Sequence, residues 1–331
     1  MLEVKIRLLI VFLFLGCPRI GHSRLTTMSN FILIFVYLLL GLALQRVKWI
    51  PTTTYKVLNK IAVNFCLPAL ALFYIPKIHW SNELLYPIGA AWIGFGASFL
   101  FFYFLGKQLG WSKKLTGCLI LTAGLSNTSF LGFPIISAIY GPEGMKTAIM
   151  IDQPGSFVVL STLGVLVAAM YSKGETNAGL ILKKVLFFPP FLTFVLACVM
   201  NVLNFDFIAI VQEGMHSVGS LITPLALISV GLQLSFDSRS AHWRFLGLGL
   251  FFKLILMPAI FYVGYILILG QQSMMIDVVI METAMAPMIT GCILASTYGL
   301  KPKLSSMMIG FGIPLSFLTL ACWYLLLQIS H

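Results

Sequence analysis

Residues 113–144 read KKLTGCLILTAGLSNTSFLGFPIISAIYGPEG, a run long and apolar enough to cross a bilayer that carries Ser126-Asn127-Thr128-Ser129 and then Gly132-Phe133-Pro134 at its middle. A proline inside a helix has no amide hydrogen to give and its ring clashes with the preceding turn, at a cost of about 3 kcal/mol. The stretch therefore predicts two half-helices, with the break between Phe130 and Pro134. Pro134 would open the second half at its first helical position, where a missing N–H is harmless. Backbone donors would then be left free near Phe133 and Ile135. Irregular backbone at bilayer depth survives only where it is packed in protein or lines a wet cavity, and broken helices near the midplane are one way a membrane protein builds a substrate site. The alternative is a continuous helix that the proline only kinks.

Composition sets the solvent. Of the 331 residues 59% are hydrophobic and 9% charged, which leaves too little polar surface for a soluble chain of this length. The class is an all-α polytopic membrane protein. The net charge of +11 comes from residues in short loops between apolar runs, with no patch among aromatics, so it orients the chain in a bilayer and gives no reason to expect nucleic acid. Cys17, Cys66, Cys118, Cys198, Cys292 and Cys322 are isolated, which argues against a disulfide framework or a zinc site. No protease, hydrolase, phosphate-loop or dinucleotide motif occurs, so neither an enzyme nor a cofactor is expected.

Windows of about 20 apolar residues give ten spans: Ser29 to Gln45, Val57 to Ile75, Leu84 to Leu105, the broken Leu115 to Tyr140, and Lys146 to Tyr171; then Val185 to Leu203, Met215 to Phe236, Phe245 to Leu269, Met274 to Tyr298, and Ser305 to Gln328. The seventh is the least apolar, and a re-entrant segment is its alternative. The two sets of five resemble each other. Leu67-Pro68-Ala69-Leu70 reads against Thr223-Pro224-Leu225-Ala226, Tyr140-Gly141 against Tyr298-Gly299, and Ile149-Met150-Ile151 against Met307-Met308-Ile309, in order and at one nearly constant offset. Three ordered matches predict an internal repeat, and an odd number of spans per copy makes it inverted. The repeats are 28–171 and 185–331, joined by a linker at 172–184.

Loop charge predicts the orientation. With the segment before the first span outside, fourteen lysines and arginines fall on the cytoplasmic side, among them Lys113, Lys114, Lys173, Lys183, Lys184 and Arg239, against Lys77 and Lys146 outside. Both ends of the ten-helix core are then external. Lys253, near the cytoplasmic end of the eighth span, is expected to snorkel to the same side. Residues 1–27 read in two ways. Lys5 and Arg7 before Leu8–Leu15 form a signal-like leader, or translation begins at Met28 and the leader is no part of the protein.

The repeat predicts a partner for the opening stretch, and residues 277–300, DVVIMETAMAPMITGCILASTYGL, supply it. Pro287 lies in its middle, Glu282 stands about a turn and a half earlier and Gly291 about a turn later. Inversion would bring the breaks at Pro134 and Pro287 together and cross four half-helices as an X. The positive ends of the second halves would then face one anionic group. Asn127 suits a carboxylate or a free carbonyl, and its alternative is an interhelical hydrogen bond. Ionisable residues inside spans are expensive and mark function. Asp152, in IDQPGSF, and Glu282 are each expected to carry a coupling proton or help bind a cation, with a structural acid as the alternative. Ser126, Gln153 and Ser156 are weaker cavity candidates. Met285, Met288, Phe130 and Phe133 flank the breaks with apolar surface.

Leu131-Gly132-Phe133-Pro134 after Ser126-Asn127-Thr128, then Tyr140-Gly141-Pro142-Glu143-Gly144, Glu282-Thr283-Ala284-Met285-Ala286-Pro287 and Tyr298-Gly299-Leu300 together resemble the auxin efflux carrier family, over Met28 to the C-terminus. Its bacterial members include permeases for malate, malonate and similar acids. The resemblance implies a ten-helix inverted-repeat fold similar to bile-acid/sodium symporters and sodium/proton antiporters, with elevator-like alternating access at the plasma membrane. It implies that Asn127 and Pro134 border a substrate carboxylate and that Glu282 and Pro287 hold the matching places in the second crossover. Gly132, Ser126 and Met285 complete the expected substrate set, and Glu282, Asp152 and Gln153 the expected coupling-ion or proton set, with no metal. The expected partners are a small mono- or dicarboxylate, H+ or Na+, and the bilayer, and a homodimer is compatible with them. This chain lacks the long cytoplasmic loop of the plant carriers, has Ala286 where many members carry a second proline, and has no asparagine in the second repeat to match Asn127. Two other functions stay open: a cation-coupled symporter of the bile-acid type with Asp152 and Glu282 as ligands, and an intramembrane enzyme or non-transporting receptor.

Overall fold

The computed structural model describes residues 24–51, 53–79, 81–172, 187, 189–234 and 242–330, and of 24–31 the backbone alone. The leader up to residue 23, the linker beyond Ser172, and Lys173, Lys183, Lys184 and Arg239 lie outside the described residues. Within them the chain is helical: α1 Arg24–Leu44, α2 Thr54–Lys77, α3 Asn82–Gln108, α4 Lys113–Gly124, α5 Thr128–Tyr171, α6 Pro189–Val202, α7 Ala209–Gln233, α8 Trp243–Ile268, α9 Met274–Thr283, α10 Ile289–Thr297 and α11 Pro302–Ser330. Six of these, α2, α3, α5, α7, α8 and α11, are long and apolar enough to cross a membrane. Among the described residues Leu85, Leu100, Phe104, Ile268 and Leu318 are exposed while Ser98, Thr122, Asp152, Ser229 and Glu282 are buried. Apolar outside and polar inside is the arrangement that suits lipid as solvent. The chain is a polytopic membrane protein.

Two compact units form. One runs to Ile78 and takes in Thr193–Gln233; the other comprises His79–Leu192 and Leu234–His331. In the first unit, α1 and α7 approach backbone to backbone. A Cβ on Gly41 would lie 2.8 Å from the Gly231 Cα, and a Cβ on Gly231 equally close to the Gly41 Cα, so only glycine fits at either place. Small residues at such a contact let dispersion act between helices that lipid does not drive together. Polar side chains fasten the same unit. Gln45 Nε2 donates to the Gly231 carbonyl at 2.7 Å, and the Ser229 hydroxyl donates to Asn59 Oδ1. Asn201 Nδ2 donates to the carbonyls of Ile75, Pro76 and Ile78 in the tight turn that ends α2.

Several prolines sit in helices without ending them, because the turn before them widens. In α2 a π-helical turn, Ala62–Cys66, precedes Pro68, and in α8 another, Phe252–Leu256, precedes Pro258. A wide turn moves the preceding carbonyls off the proline ring. α5 is 44 residues long and bends sharply at Gly141, whose φ of +63° is left-handed, just before Pro142. The sequence reading divides the chain at this same place, between its fourth and fifth spans. The seventh span starts earlier than expected, at Ala209, and its 25 residues are long and apolar enough to cross a membrane.

Candidate functional site

In the second unit the two interrupted segments meet. α4 ends at Gly124 and α9 at Thr283, and between Leu125 and Asn127 and between Ala286 and Met288 the chains run extended and antiparallel. The Asn127 amide donates to the Ala286 carbonyl at 2.9 Å and the Met288 amide to the Leu125 carbonyl at 3.0 Å. Ser126 and Pro287 face each other between those two bonds. That slot of an antiparallel pair uses neither residue's N–H, so the proline loses nothing there. A residue before proline is also pushed out of the helical region, which is why the chain is extended at Ala286.

The first break is not where its proline predicts. The interruption lies at Leu125–Asn127, and helix resumes at Thr128 and continues through Pro134. A π-helical turn, Thr128–Gly132, with the Gly132 amide bonded to the Asn127 carbonyl at 3.0 Å, makes room for the proline ring. Pro134 is thus a second residue of regular α-helix, and the residue across the crossing from Pro287 is Ser126. The expectation of free donors near Phe133 and Ile135 and of two prolines meeting is corrected accordingly.

Around the crossing the side chains are polar and buried. Asn127 caps the restarted helix, its Oδ1 accepting from the Phe130 amide at 3.3 Å, while its Nδ2 is buried with no hydrogen-bond partner. Asp152, at the start of the π-helical turn Asp152–Phe157, accepts from the Thr128 hydroxyl at 2.6 Å, from the Ser129 hydroxyl, and from Gln153 Nε2 at 3.2 Å. A carboxylate is so placed against the N-terminal turn of α5, where the backbone dipole favours it. Glu282 is 0% exposed, and neither of its oxygens has a hydrogen-bond partner. Its carboxyl packs against Gly132, where any side chain would displace it. A small cavity with room for about one water is lined by Ser126, Thr128, Ser156, Glu282, Thr283 and Met257 among others.

Of the residues singled out from sequence, the structure places Ser126, Glu282 and Ser156 on this cavity and Gly132 beneath Glu282. Asp152 joins through Thr128 and Ser129. Asn127, Gln153, Met285, Pro134 and Pro287 are not among its lining residues. Lys253 is the residue the sequence reading misplaced. It does not snorkel: it is 0% exposed, with Nζ donating to the Thr283 carbonyl at 2.6 Å and the Ser126 hydroxyl at 2.7 Å. The missed signal is depth. Ten residues at 1.5 Å each put Lys253 about 15 Å from the start of α8, half the thickness of a bilayer core and beyond the reach of a lysine stem to either face.

An all-helical membrane chain whose polar residues gather at two paired helix breaks belongs to the class of membrane transporters. A family profile described as membrane transport protein matches residues 26–324, and the chain belongs to that family, the family of the auxin efflux carriers. It is 28% identical over 277 residues to an uncharacterized transporter of Methanocaldococcus jannaschii, covering 81% of this chain and 88% of that one. It is 27% identical over 299 residues to an uncharacterized transporter of Methanothermobacter thermautotrophicus, covering 89% and 96%.

Proposed function

We propose that the chain is a secondary active carrier of a small organic anion, a mono- or dicarboxylate, with its site at the crossing of the two broken segments. The observation that carries this reading is the buried, unpartnered Nδ2 of Asn127 beside the paired backbone of Leu125–Asn127 and Ala286–Met288. A donor left unsatisfied in the interior costs about 1–3 kcal/mol, and a carboxylate oxygen would relieve it. The amino end of α10 points the same way, since Met288 gives it no side-chain cap. The proposed architecture counts ten crossings, with α4 and the first part of α5 forming one and α9 with α10 another. Residues 28–171 and 185–331 are the inverted repeats of five, both ends are external at the plasma membrane, and alternating access is elevator-like.

Glu282 supports coupling to a proton. Asp152 already accepts three hydrogen bonds, whereas Glu282 accepts none and lines the cavity. Of Asp152 and Glu282, the latter is therefore the one free to take up and release a proton. Purified protein in liposomes, given a panel of labelled mono- and dicarboxylates with an imposed pH gradient or a sodium gradient, tests both parts. The expected result is uptake of at least one acid that follows the pH gradient and is abolished by Glu282→Gln. No flux of any acid, or flux unchanged by Asn127→Ala and Glu282→Gln, would overturn the reading.

A further inference from the structure

Pro287 stands four residues after Thr283, so the Thr283 carbonyl, which a continuous helix would pair with that residue's amide, has no backbone donor to accept from. Lys253 answers it. Its ammonium gives one proton to that carbonyl and a second to the Ser126 hydroxyl, so that it binds both broken segments at once, and its remaining direction is toward the Met257 sulfur at 3.5 Å. Among the described residues no acid lies within ion-pair distance of it, and Glu282 lines one small cavity together with Ser126 and Thr283, the two residues that the ammonium bonds, and with Met257. A carbonyl, a hydroxyl and an unbonded carboxylate are the oxygen donors that a small hard cation takes. A fixed ammonium holds that place.

We propose that Lys253 is a tethered counter-cation, occupying the position in which a dissociable alkali cation would otherwise sit, and that it frees the crossing from any need for sodium or potassium. Removing the ammonium should expose a monovalent cation site made of the Thr283 carbonyl, the Ser126 hydroxyl and the Glu282 carboxylate. The site itself is read without flux. Only its consequence, sodium-independent transport, rests on the function proposed above.

The test is thermal unfolding of the purified full chain in sodium, potassium or choline chloride at equal ionic strength. Lys253→Ala should gain a saturable stabilisation of at least about 3 °C by sodium or potassium over choline. The unaltered protein should unfold at the same temperature in all three salts, and Lys253→Ala/Glu282→Gln should lose the gained response. If Lys253→Ala fails to fold in choline, rescue by extraction and purification in sodium or potassium supports the proposal, as does the same rescue of Lys253→Gln. Failure in every salt overturns it, as does a folded variant with no preference among salts or a saturable sodium response in the unaltered protein. Should no carboxylate be transported while Lys253→Ala still gains its cation response, the transport reading fails and the tethered cation stands.

Discussion

Gly132 and Glu282 lie in direct apposition: a Cβ on Gly132 would fall 2.7 Å from the Glu282 carboxyl carbon and overlap both its oxygens. The atoms it would strike are the far end of a flexible side chain, so the fold can yield by moving the carboxyl. Gly132→Ala is therefore expected to reproduce the transport defect of Glu282→Gln, a loss of tenfold or more, while the melting temperature falls by only a few degrees, in line with the roughly 1–3 kcal/mol of overpacking. Equal loss of folded protein and flux would instead make Gly132 a packing residue only.

Asn127 has two separable roles, since Oδ1 caps the restarted helix and Nδ2 is free. Asn127→Ala removes both and should cost about 1 kcal/mol of stability for the cap. Asn127→Asp keeps an acceptor for the Phe130 amide but replaces the donor with a negative charge. It should fold about as well as the unaltered chain and bind the carboxylate at least tenfold more weakly, read by ligand-induced stabilisation. Retained binding in Asn127→Asp would move the anion elsewhere.

Sequence patterning located the two interrupted segments because apolar length and mid-span polar residues survive in any fold. It misplaced the first interruption by weighting Pro134 over Asn127. A proline is a local rule, and a single wide turn, Thr128–Gly132, is enough to suspend it. The pairing of Ser126 with Pro287 is a long-range backbone contact with no side-chain signature. Lys253 was visible as a lone charge in an apolar run, but its direction depended on a depth that had to be counted from the helix start.

The two prolines should accordingly differ. The wide turn Thr128–Gly132 already accommodates the Pro134 ring, so Pro134→Ala is expected to change stability by less than about 1 kcal/mol and leave uptake near normal. Pro287→Ala gives position 287 an amide that can pair with the Thr283 carbonyl and extend α9 through the crossing, in competition with Lys253. Uptake should fall tenfold or more. Equal effects of the two variants would restore the view that both prolines make the breaks.

Asp152 satisfies the hydroxyls of Thr128 and Ser129 at the start of α5. Asp152→Asn keeps the shape but trades charge-assisted bonds for weaker ones, with a cost of about 1–3 kcal/mol. In a double-mutant cycle with Thr128→Val the two losses should be non-additive by at least about 0.5 kcal/mol, because they share one bond. Additive losses would mean that the bond contributes nothing to stability and that Asp152 is held by other groups.

Gly41 and Gly231 offer a test within the other unit. With each Cβ position 2.8 Å from the opposite Cα, alanine at either residue must push α1 and α7 apart. Each single substitution should cost about 1–3 kcal/mol. The double variant should cost less than the sum, because the first separation makes room for the second methyl. Thermal unfolding in detergent measures all three. Small, additive shifts would mean that the helices are not held at contact distance in the protein, and that Gln45 and Ser229, which bond across the unit, hold it together without the close approach.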